Sequence, residues 1–451
     1  MKLINLKFFL FFLNLLSIIN FKKFSQNKYL QINNNYLNIL NLFNVTFFNV
    51  LNKNIRIGIY THCIHNGGRA RITALLLNYF NTINIFKIFL FTRTFKIDNE
   101  YSVPENIKRT VVKKNIIKMI NKSKLDILIY ELDDNNEIEI LNNIKNVKII
   151  YYIHSSIFYW IYSNYTTFKY LYKAYTNSNY VISIIPFEND YLFEKWGINS
   201  ILMDNFMTYE YNNVIPSDLN KKNILMIGRA NNILKRFAIG IQAMSYIAEE
   251  LPESELKIIS NISSIYNIEF LTNNLNIQNN IKFVGFTLTP EIYFNDASLH
   301  MFPSITEGFP LVLSETKIYG IPNIILGIDY VAVSKGGTKI IYDDTPEKLA
   351  KESIKFLIKK NYRIEFGKNA RKSMKKYNND KLFRKWVKLI ITIYNGEKNY
   401  DQFKKNFKKI STKESLNILN NQVKLLKKRI LYFCNITNNN FKNFTFMEQF
   451  H

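Results

Sequence analysis

A strand, a loop and a helix in direct succession constrain the fold of this chain more than any other stretch. The apolar run Ala297–Phe302 predicts the end of a buried strand, and residues 311–319 have helical spacing behind Pro310. Glu307 and Gly308 therefore fall where a strand passes to a helix N-terminus. The unpaired N–H groups and positive dipole end there favour an anionic group such as a phosphate.

Two carboxylates in this stretch are separated by seven residues. The segment reads F-P-S-I-T-E-G-F-P-L-V-L-S-E, with Glu307 before the helix and Glu315 inside it. A carboxylate in the helix would accept two hydrogen bonds from vicinal hydroxyls, such as those of a ribose. The stretch thus predicts a turn that holds a ligand with a phosphate and a sugar.

Strand and helix candidates alternate before this stretch. The first unit is the strand I-R-I-G-I-Y from Ile55, the loop T-H-C-I-H-N-G-G and a helix, so Gly67 and Gly68 would let the backbone approach a ligand closely. His154 directly follows a strand, at the edge where open α/β sheets bind ligands, although a satisfied loop histidine is an equal alternative. Further strands are predicted at 85–91, 127–130, 147–153 and 181–185, which is typical of a parallel sheet.

A second alternating series follows residue 222. The strand 224–227 ends at Gly228 and Arg229, and Lys235 with Arg236 are predicted to begin an amphipathic helix. Arg229 offers a planar fork and Lys235 a point charge, and together they would neutralise a diphosphate. Further strands are predicted at 256–260, 281–285 and 323–326, and helices at 290–295, 346–358, 362–375 and 379–394.

Length and composition set the number of domains and the class of partner. A chain of 451 residues exceeds the usual limit for one hydrophobic core, so we expect two domains. The formal charge of +25 favours anionic partners, and two cysteines are too few for a disulfide framework, which predicts folding in a reducing compartment. The predicted division is 1–53 apolar segment and Asn-rich tether, 54–205 first domain, 206–222 linker, 223–380 second domain, 381–396 closing helix, and 397–451 basic helical tail.

Both ends of the chain predict membrane association. Residues 1–21 are apolar between lysines and favour an uncleaved anchor that leaves the chain on the cytosolic side, against the alternative of an amphipathic or buried helix. The tail carries a seam of apolar residues beside lysines, which suits an anionic membrane surface, a partner helix or packing on the body. The seam consists of Leu416, Leu419, Val423, Leu426, Ile430 and Phe433.

The motifs of the second domain together resemble the family 4 retaining glycosyltransferases, of glycosyl transferases group 1, which have the GT-B fold. The resemblance rests on G-R and K-R-F after a strand, on I-K-F-V-G-F, on the stretch from Phe302 to Glu315, and on G-I-P at 320–322. It covers residues 55–394, more loosely in the first domain. It implies two Rossmann-like, doubly wound domains that face each other across a cleft, 54–205 on the acceptor side and 223–380 on the donor side.

The resemblance also implies the reaction and its residues. A sugar would move with retention, without a metal, from a nucleotide-diphosphate donor (UDP- or GDP-linked) to a glycan or lipid-linked acceptor. Catalytic roles fall to Glu307, His154, Lys235 and Arg229. The donor would be bound by Gly67, Gly68, Gly228, Arg229, Lys235, Glu307, Gly308, Phe309, Pro310, Leu311 and Glu315. Beyond the donor, no cofactor, metal or nucleic-acid partner is expected.

Departures from the family pattern leave alternatives open. S-N-I-S-S replaces a glycine-containing loop after 256–260, Arg236 stands where a glycine is usual, and residues 334–338 continue to K-I-I-Y-D-D. These put the nucleobase and the sugar in doubt. A catalytically inactive GT-B protein that binds sugar nucleotides or glycans is the main alternative. Nucleic-acid binding rests only on charge and on F-K-K-N-F-K-K-I.

Overall fold

The structure is a computed structural model of the chain. It describes residues 54–65, 67–113, 116–132, 143–159, 165–229, 233–261 and 265–396, and in the C-terminal part residues 417, 418, 420–422, 424 and 425.

A seven-stranded sheet forms the first half of the fold. Its order is β3-β2-β1-β4-β5-β6-β7, and the pairs from β3 through β6 are parallel. The strands are β1 (Ile55–Thr61), β2 (Phe86–Thr92), β3 (Lys108–Val111), β4 (Ile127–Tyr130), β5 (Lys148–Tyr152), β6 (Tyr180–Ser183) and β7 (Ile201–Leu202). The helices among them are α1 (Gly68–Phe80), α2 (Ile116–Ser123), α3 (Tyr165–Asn177) and α4 (Pro186–Trp196).

A six-stranded, fully parallel sheet forms the second half, in the order β10-β9-β8-β11-β12-β13. Its strands are β8 (Asn223–Ile227), β9 (Glu255–Ile259), β10 (Ile281–Phe283), β11 (Ala297–Phe302), β12 (Asn323–Leu326) and β13 (Thr338–Ile341). Its helices are α5 (Phe237–Glu250), α6 (Ile265–Asn274), α7 (Leu311–Ile318), α8 (Pro346–Ile358) and α9 (Lys360–Met374). The last helix, α10 (Asn379–Tyr394), belongs from Asp380 on to the same compact unit as the first strands. Both sheets have the Rossmann order, so the predicted α/β class is confirmed.

The described residues form two compact units. One holds those up to Ile153, with Lys169–Ile182 and the α10 residues from Asp380, and the other holds His154–Phe168, Ser183–Asn379 and the described part of 417–425. The strands read as apolar runs because a parallel sheet is covered on both faces. In the first unit the buried Trp386 ring contacts the rings of Phe80 and Tyr152, with centroids 6.0 and 5.2 Å apart. The domain bounds named above stay predictions.

The elements that the sequence predicted are mostly present, with differences in type, in bounds and in number. Residues 290–293 form a short 3-10 helix instead of an α-helix, and β13 follows the glycine loop at 336–337, where only a loop was expected. The helix predicted from Lys235 begins at Phe237, and no bounds were predicted for the strands β3 and β7 or for the helices α2, α3, α4 and α6. Short strands such as β13 escape prediction because four half-exposed residues carry almost no periodic signal.

The prediction that an N-terminal anchor holds the chain on the cytosolic side of a membrane is not supported and is corrected here. Among the residues that the structure describes, no helix is long and apolar enough to cross a membrane. The longest of them, α10, has 16 residues, whereas a span needs about 20 apolar residues. The predicted anchor at 1–21, the run F-K-K-N-F-K-K-I and the six seam residues lie outside the described residues.

Candidate functional site

The site lies at the carboxyl ends of β8 and β11, where the strand order of the second sheet reverses. Open α/β sheets bind ligands at such a switch point. Strand β8 ends at Ile227. Gly228 follows with a φ of 153°, which suits a glycine, and Arg229 comes next with an exposed side chain. Within the described part of the chain, no hydrogen bond or ion pair engages the Arg229 guanidinium. Its charge is therefore available beside the end of β11.

Lys235 and Glu307 form an ion pair across the switch point. The Lys235 Nζ contacts Glu307 Oε1, with side chains 20% and 12% exposed, and it also lies 5.5 Å from the centroid of the Phe302 ring. The backbone joins the two loops as well, because Ile305 N–H donates to the Leu234 carbonyl at 2.8 Å. The predicted pair of residues is thus brought together by both side chains and main chain.

Arg236 explains one departure from the family pattern. Its φ of 48° and ψ of 46° are left-handed, the conformation in which glycine is usual, and this residue ends the 3-10 turn before α5. The side chain is anchored, since Nε donates to the Pro303 carbonyl and Nη1 to Asp344 Oδ2, each at 2.7 Å. Arginine therefore occupies a glycine-like backbone position and at the same time ties it to the turn after β11.

Gly308 faces the backbone of His154. A Cβ at position 308 would lie 2.2 Å from the His154 carbonyl oxygen and 3.1 Å from Ile184 Cδ1, so any side chain would force the two segments apart. Phe309 and Leu311 are buried, and Pro310 precedes the first residue of α7. The predicted residues 307–311 and His154 are therefore neighbours, and the carbonyl of His154 is the part that meets the turn.

Glu315 lies in α7 with 1% of its surface exposed. Its Oε1 accepts a hydrogen bond from the Thr208 hydroxyl at 2.7 Å. The predicted role, binding vicinal hydroxyls, stays a prediction, and it requires Thr208 to yield or share that oxygen. Thr208 carried no signal in the sequence because its segment has no periodicity.

A buried polar group fastens α7 to the sheet beneath the site. His300 on β11 and Thr316 on α7 both contact the Asn323 side chain on β12, at 2.6 and 2.8 Å. Burial lowers the pKa of His300 to about 4, so the imidazole is neutral at pH 7. The helix that carries Glu315 is thereby fixed to two strands of the sheet.

Gly67 and Gly68 lie at the start of α1, in the other compact unit. Gly67 has φ 104° and ψ 169°, a conformation essentially restricted to glycine, and a Cβ there would have no neighbour within 4 Å. The glycine is thus required by the backbone conformation. Its predicted role in donor binding stays a prediction.

Three further residues border the site and were not predicted. The hydroxyl of Tyr330 accepts a hydrogen bond from Glu307 N–H at 3.1 Å, and Ser156 and Glu188 lie behind that hydroxyl. The sequence analysis singled out no motif or element that contains Ser156, Glu188 or Tyr330, so sequence patterns offered no way to find them.

The assembled groups suit an anionic ligand. Arg229 and Lys235 supply two cations. The turn before α7 supplies the backbone N–H groups of Gly308, Phe309 and Leu311, since Pro310 has none and the Glu307 N–H donates to Tyr330. Among the described residues, no group of three or more His, Cys, Asp and Glu side chains is placed to hold a metal ion.

Comparisons with known proteins agree with the fold. Residues 209–373 match the family model described as "Glycosyl transferases group 1". The chain is 22% identical over 223 residues to an uncharacterized glycosyltransferase of Haemophilus influenzae, covering 48% of this chain and 62% of the relative. It is 26% identical over 177 residues to the poly(glycerol-phosphate) alpha-glucosyltransferase of Bacillus subtilis, covering 38% and 26%. The chain thus spans less than two thirds of each of these relatives.

Solved structures show the same fold at low sequence identity. A sucrose-phosphate synthase from Thermosynechococcus elongatus has a TM-score of 0.65 at 14% identity, covering 76% of this chain and all of the other. Anabaena HepE in complex with UDP and glucose has a TM-score of 0.61 at 13% identity, covering 74% and 99%. This chain therefore has the GT-B fold, and over residues 209–373 it matches the group 1 glycosyl transferases.

Proposed function

We propose that the chain is a glycosyltransferase that moves a sugar from a nucleoside diphosphate donor to a glycan or lipid-linked acceptor, with retention and without a metal. The observation that carries the proposal is the Lys235–Glu307 ion pair at the switch point of the second sheet, together with the exposed Arg229, which follows the Gly228 backbone next to the Lys235 side chain. UDP- and GDP-linked sugars are the donors to test. Retention and membership of family 4 follow from the motif resemblance alone.

The charges account for the chemistry. In transfer, the bond between the anomeric carbon and the diphosphate oxygen breaks, a bond to the acceptor oxygen forms, and the hydroxyl proton leaves with the diphosphate. Negative charge develops on the leaving group, where Arg229, Lys235 and the N–H groups of the turn would stabilise it. Fixed cations of this kind neutralise the charge of a leaving diphosphate, as a divalent metal ion does in other sites. The α-glucosyl transfer named for the Bacillus relative supports a hexose as the transferred sugar.

The test measures donor hydrolysis and transfer with a panel of UDP- and GDP-sugars. Arg229→Ala and Lys235→Ala should each lower kcat/KM by about 10²-fold, because each removes a cation that stabilises negative charge on the leaving diphosphate. Glu307→Ala should have a similar effect, because it removes the carboxylate that pairs with Lys235 and holds it at the switch point. Lys222→Ala is the matched control, since Lys222 also pairs with a glutamate, Glu253, near the start of β8. Its activity should be unchanged.

Two results would contradict the proposal. Full activity in Lys235→Ala and Glu307→Ala would show that the turnover occurs elsewhere. Tight binding of a sugar nucleotide by the wild-type chain, without hydrolysis or transfer to any acceptor tested, would favour the inactive binding protein.

A further inference from the structure

Tyr330 contacts the turn that carries Glu307. Its side chain is buried, with 5% exposed, and its hydroxyl oxygen accepts a hydrogen bond from Glu307 N–H at 3.1 Å. The same hydroxyl lies 3.0 Å from the Thr306 hydroxyl. One phenol thus meets two consecutive residues of the turn, immediately before Gly308.

Behind this phenol lies a buried polar chain. The Ser156 hydroxyl hydrogen-bonds both the Tyr330 hydroxyl and the Glu188 carboxyl, and it also accepts the Phe158 N–H at 3.1 Å. The Ile157 N–H donates to Glu188 Oε1. Ser156 is 1% exposed and Glu188 2% exposed. A buried polar group without a partner costs free energy, so each member constrains the position of the next.

Packing fixes the Tyr330 ring as well. The Phe158 ring lies 4.8 Å from it, and Phe158 in turn stacks on Phe187 with centroids 5.4 Å apart and planes 13° apart. The ring therefore has a defined position before its hydroxyl makes any bond. Replacing the tyrosine by phenylalanine isolates the contribution of the hydroxyl.

The loop that carries Tyr330, residues 327–337, is anchored on both sides of it. Lys317 Nζ donates to the carbonyls of Val333 and Lys335, each at 2.6 Å. The Ser334 hydroxyl donates to the Asp329 carbonyl at 2.6 Å, next to Tyr330 itself. These bonds leave the phenol little freedom to move away from the turn.

We propose that Tyr330 is a positioning residue that holds the backbone of Glu307, with Ser156 and Glu188 behind it, so that the Glu307 carboxylate stays opposite Lys235. The catalytic consequence rests on the proposed function, whereas the hold on the turn does not. Tyr330 acts through Glu307, because its hydroxyl is occupied by Thr306, Glu307 and Ser156. A displacement of the carboxylate by about 1 Å is enough to cost about 10²-fold in rate.

The test compares Tyr330→Phe with Tyr342→Phe. Tyr342 provides a matched control because its hydroxyl donates to Asp329 Oδ2 of the same loop, at 2.6 Å, and not to a residue of the turn. Tyr330→Phe should lower kcat by about 10- to 100-fold and change the donor KM by less than about threefold, since the lost contact positions a group that acts in the transition state. Tyr342→Phe should leave both constants unchanged.

A second readout needs no activity. Amide hydrogen exchange in peptides covering Ser304–Phe309 should be at least about fivefold faster in Tyr330→Phe than in the wild type, because one hydrogen bond on the Glu307 amide is lost. Tyr342→Phe should not change it. Ser156→Ala, which cuts the link between Tyr330 and Glu188, should shift exchange in the same direction and serves if Tyr330→Phe fails to fold.

The outcomes separate the two proposals. Unchanged exchange and unchanged kcat in Tyr330→Phe would overturn the positioning role. A wild-type chain that transfers no sugar would contradict the proposed function. The hydrogen-exchange result would still decide whether Tyr330 holds the turn. Equal losses in Tyr330→Phe and Tyr342→Phe would show that the loop as a whole matters and would also overturn the specific role of Tyr330.

Discussion

Glu188 is the buried carboxyl behind Tyr330, and its protonation differs from that of an exposed glutamate. Burial raises the pKa of its carboxyl to about 8, against which hydrogen bonds from Ile157 N–H and Ser156 act in the opposite direction. The group is therefore mostly neutral at pH 7. A neutral carboxyl still satisfies Ile157 and Ser156, so it supports Tyr330 without placing a buried charge behind the turn.

Stability should fall with pH because of Glu188. Between the unfolded pKa of 4.5 and the folded value of about 8, the unfolded chain binds fewer protons than the folded one, so the free energy of unfolding decreases as pH rises. This slope is at most about 1.4 kcal/mol per pH unit and ends above pH 8. Glu188→Gln should remove the slope and be more stable relative to the wild type at pH 8 than at pH 5.

Urea unfolding of both proteins at pH 5, 6, 7, 8 and 9 would measure this difference. Glu194→Gln is the control, since Glu194 is an exposed carboxylate on the same helix. If the wild type and Glu188→Gln keep a constant difference in the free energy of unfolding from pH 5 to 9, Glu188 is ionised in the fold and the assignment is wrong.

For individual residues, the sequence predicted which side chains lie together at the site but not the contacts that they make. Lys235, Glu307 and Gly308 were identified from their spacing after strands, and the structure brings them together. The reason for Gly308 differs from the expectation of a phosphate-binding turn, because the crowding atom is the His154 carbonyl. Such a contact joins residues more than 150 positions apart, and no local pattern encodes it.

Among the elements, the loop 327–337 and helix α7 depend on one buried lysine. Lys317 is fully buried on α7, and its Nζ bonds two carbonyls of the loop. Burial, with a smaller effect of Lys376, lowers the pKa of the Lys317 amine to about 7. Helical spacing placed residue 317 on α7 but gave no reason to expect a lysine in its core.

Lys317→Met should destabilise the fold more at pH 9 than at pH 6. The unfolded lysine binds more protons than the folded one between pH 7 and 10.5, so the contribution of Lys317 to stability rises through that range. At pH 9 the neutral amine still donates its hydrogen bonds, and losing them should cost about 1–3 kcal/mol. At pH 6 the substitution also removes the cost of burying an ammonium, which offsets part of the loss.

The measurement is urea unfolding at the two pH values, with Lys335→Met as the control on an exposed lysine of the same loop. Lys335→Met should change stability by less than about 0.5 kcal/mol. A larger loss for Lys317→Met at pH 6 than at pH 9 would mean that the buried amine is charged and paired, contrary to the expectation.

For the whole molecule, the sequence predicted the architecture better than the site. Both sheets follow the order that alternating strands and helices imply, and β11 and α8 have the predicted bounds. Long apolar runs and glycine turns are local signals, so the elements they predict can be located from the sequence alone. The buried chain from Glu188 to Tyr330 joins segments 156–188 and 306–330, and only the tertiary packing reveals it.

Nucleotide binding offers a test of the whole fold. If Arg229 and Lys235 bind the diphosphate, UDP or GDP at about 100 times its dissociation constant should add about 2.7 kcal/mol to the stability of the unit that binds it. The unfolding midpoint should rise with the diphosphate and stay unchanged with uridine or guanosine, which lack the phosphates that the two cations attract.

The variants decide where the nucleotide binds. An Arg229→Ala, Lys235→Ala double variant should lose most of the thermal shift, whereas Lys222→Ala should keep it, because the Lys222–Glu253 pair lies near the start of β8 and away from its carboxyl end. Equal shifts in all three proteins would place the diphosphate away from the switch point of the second sheet. A thermal shift with uridine as large as the shift with UDP would show that the base, rather than the two cations, supplies the binding free energy.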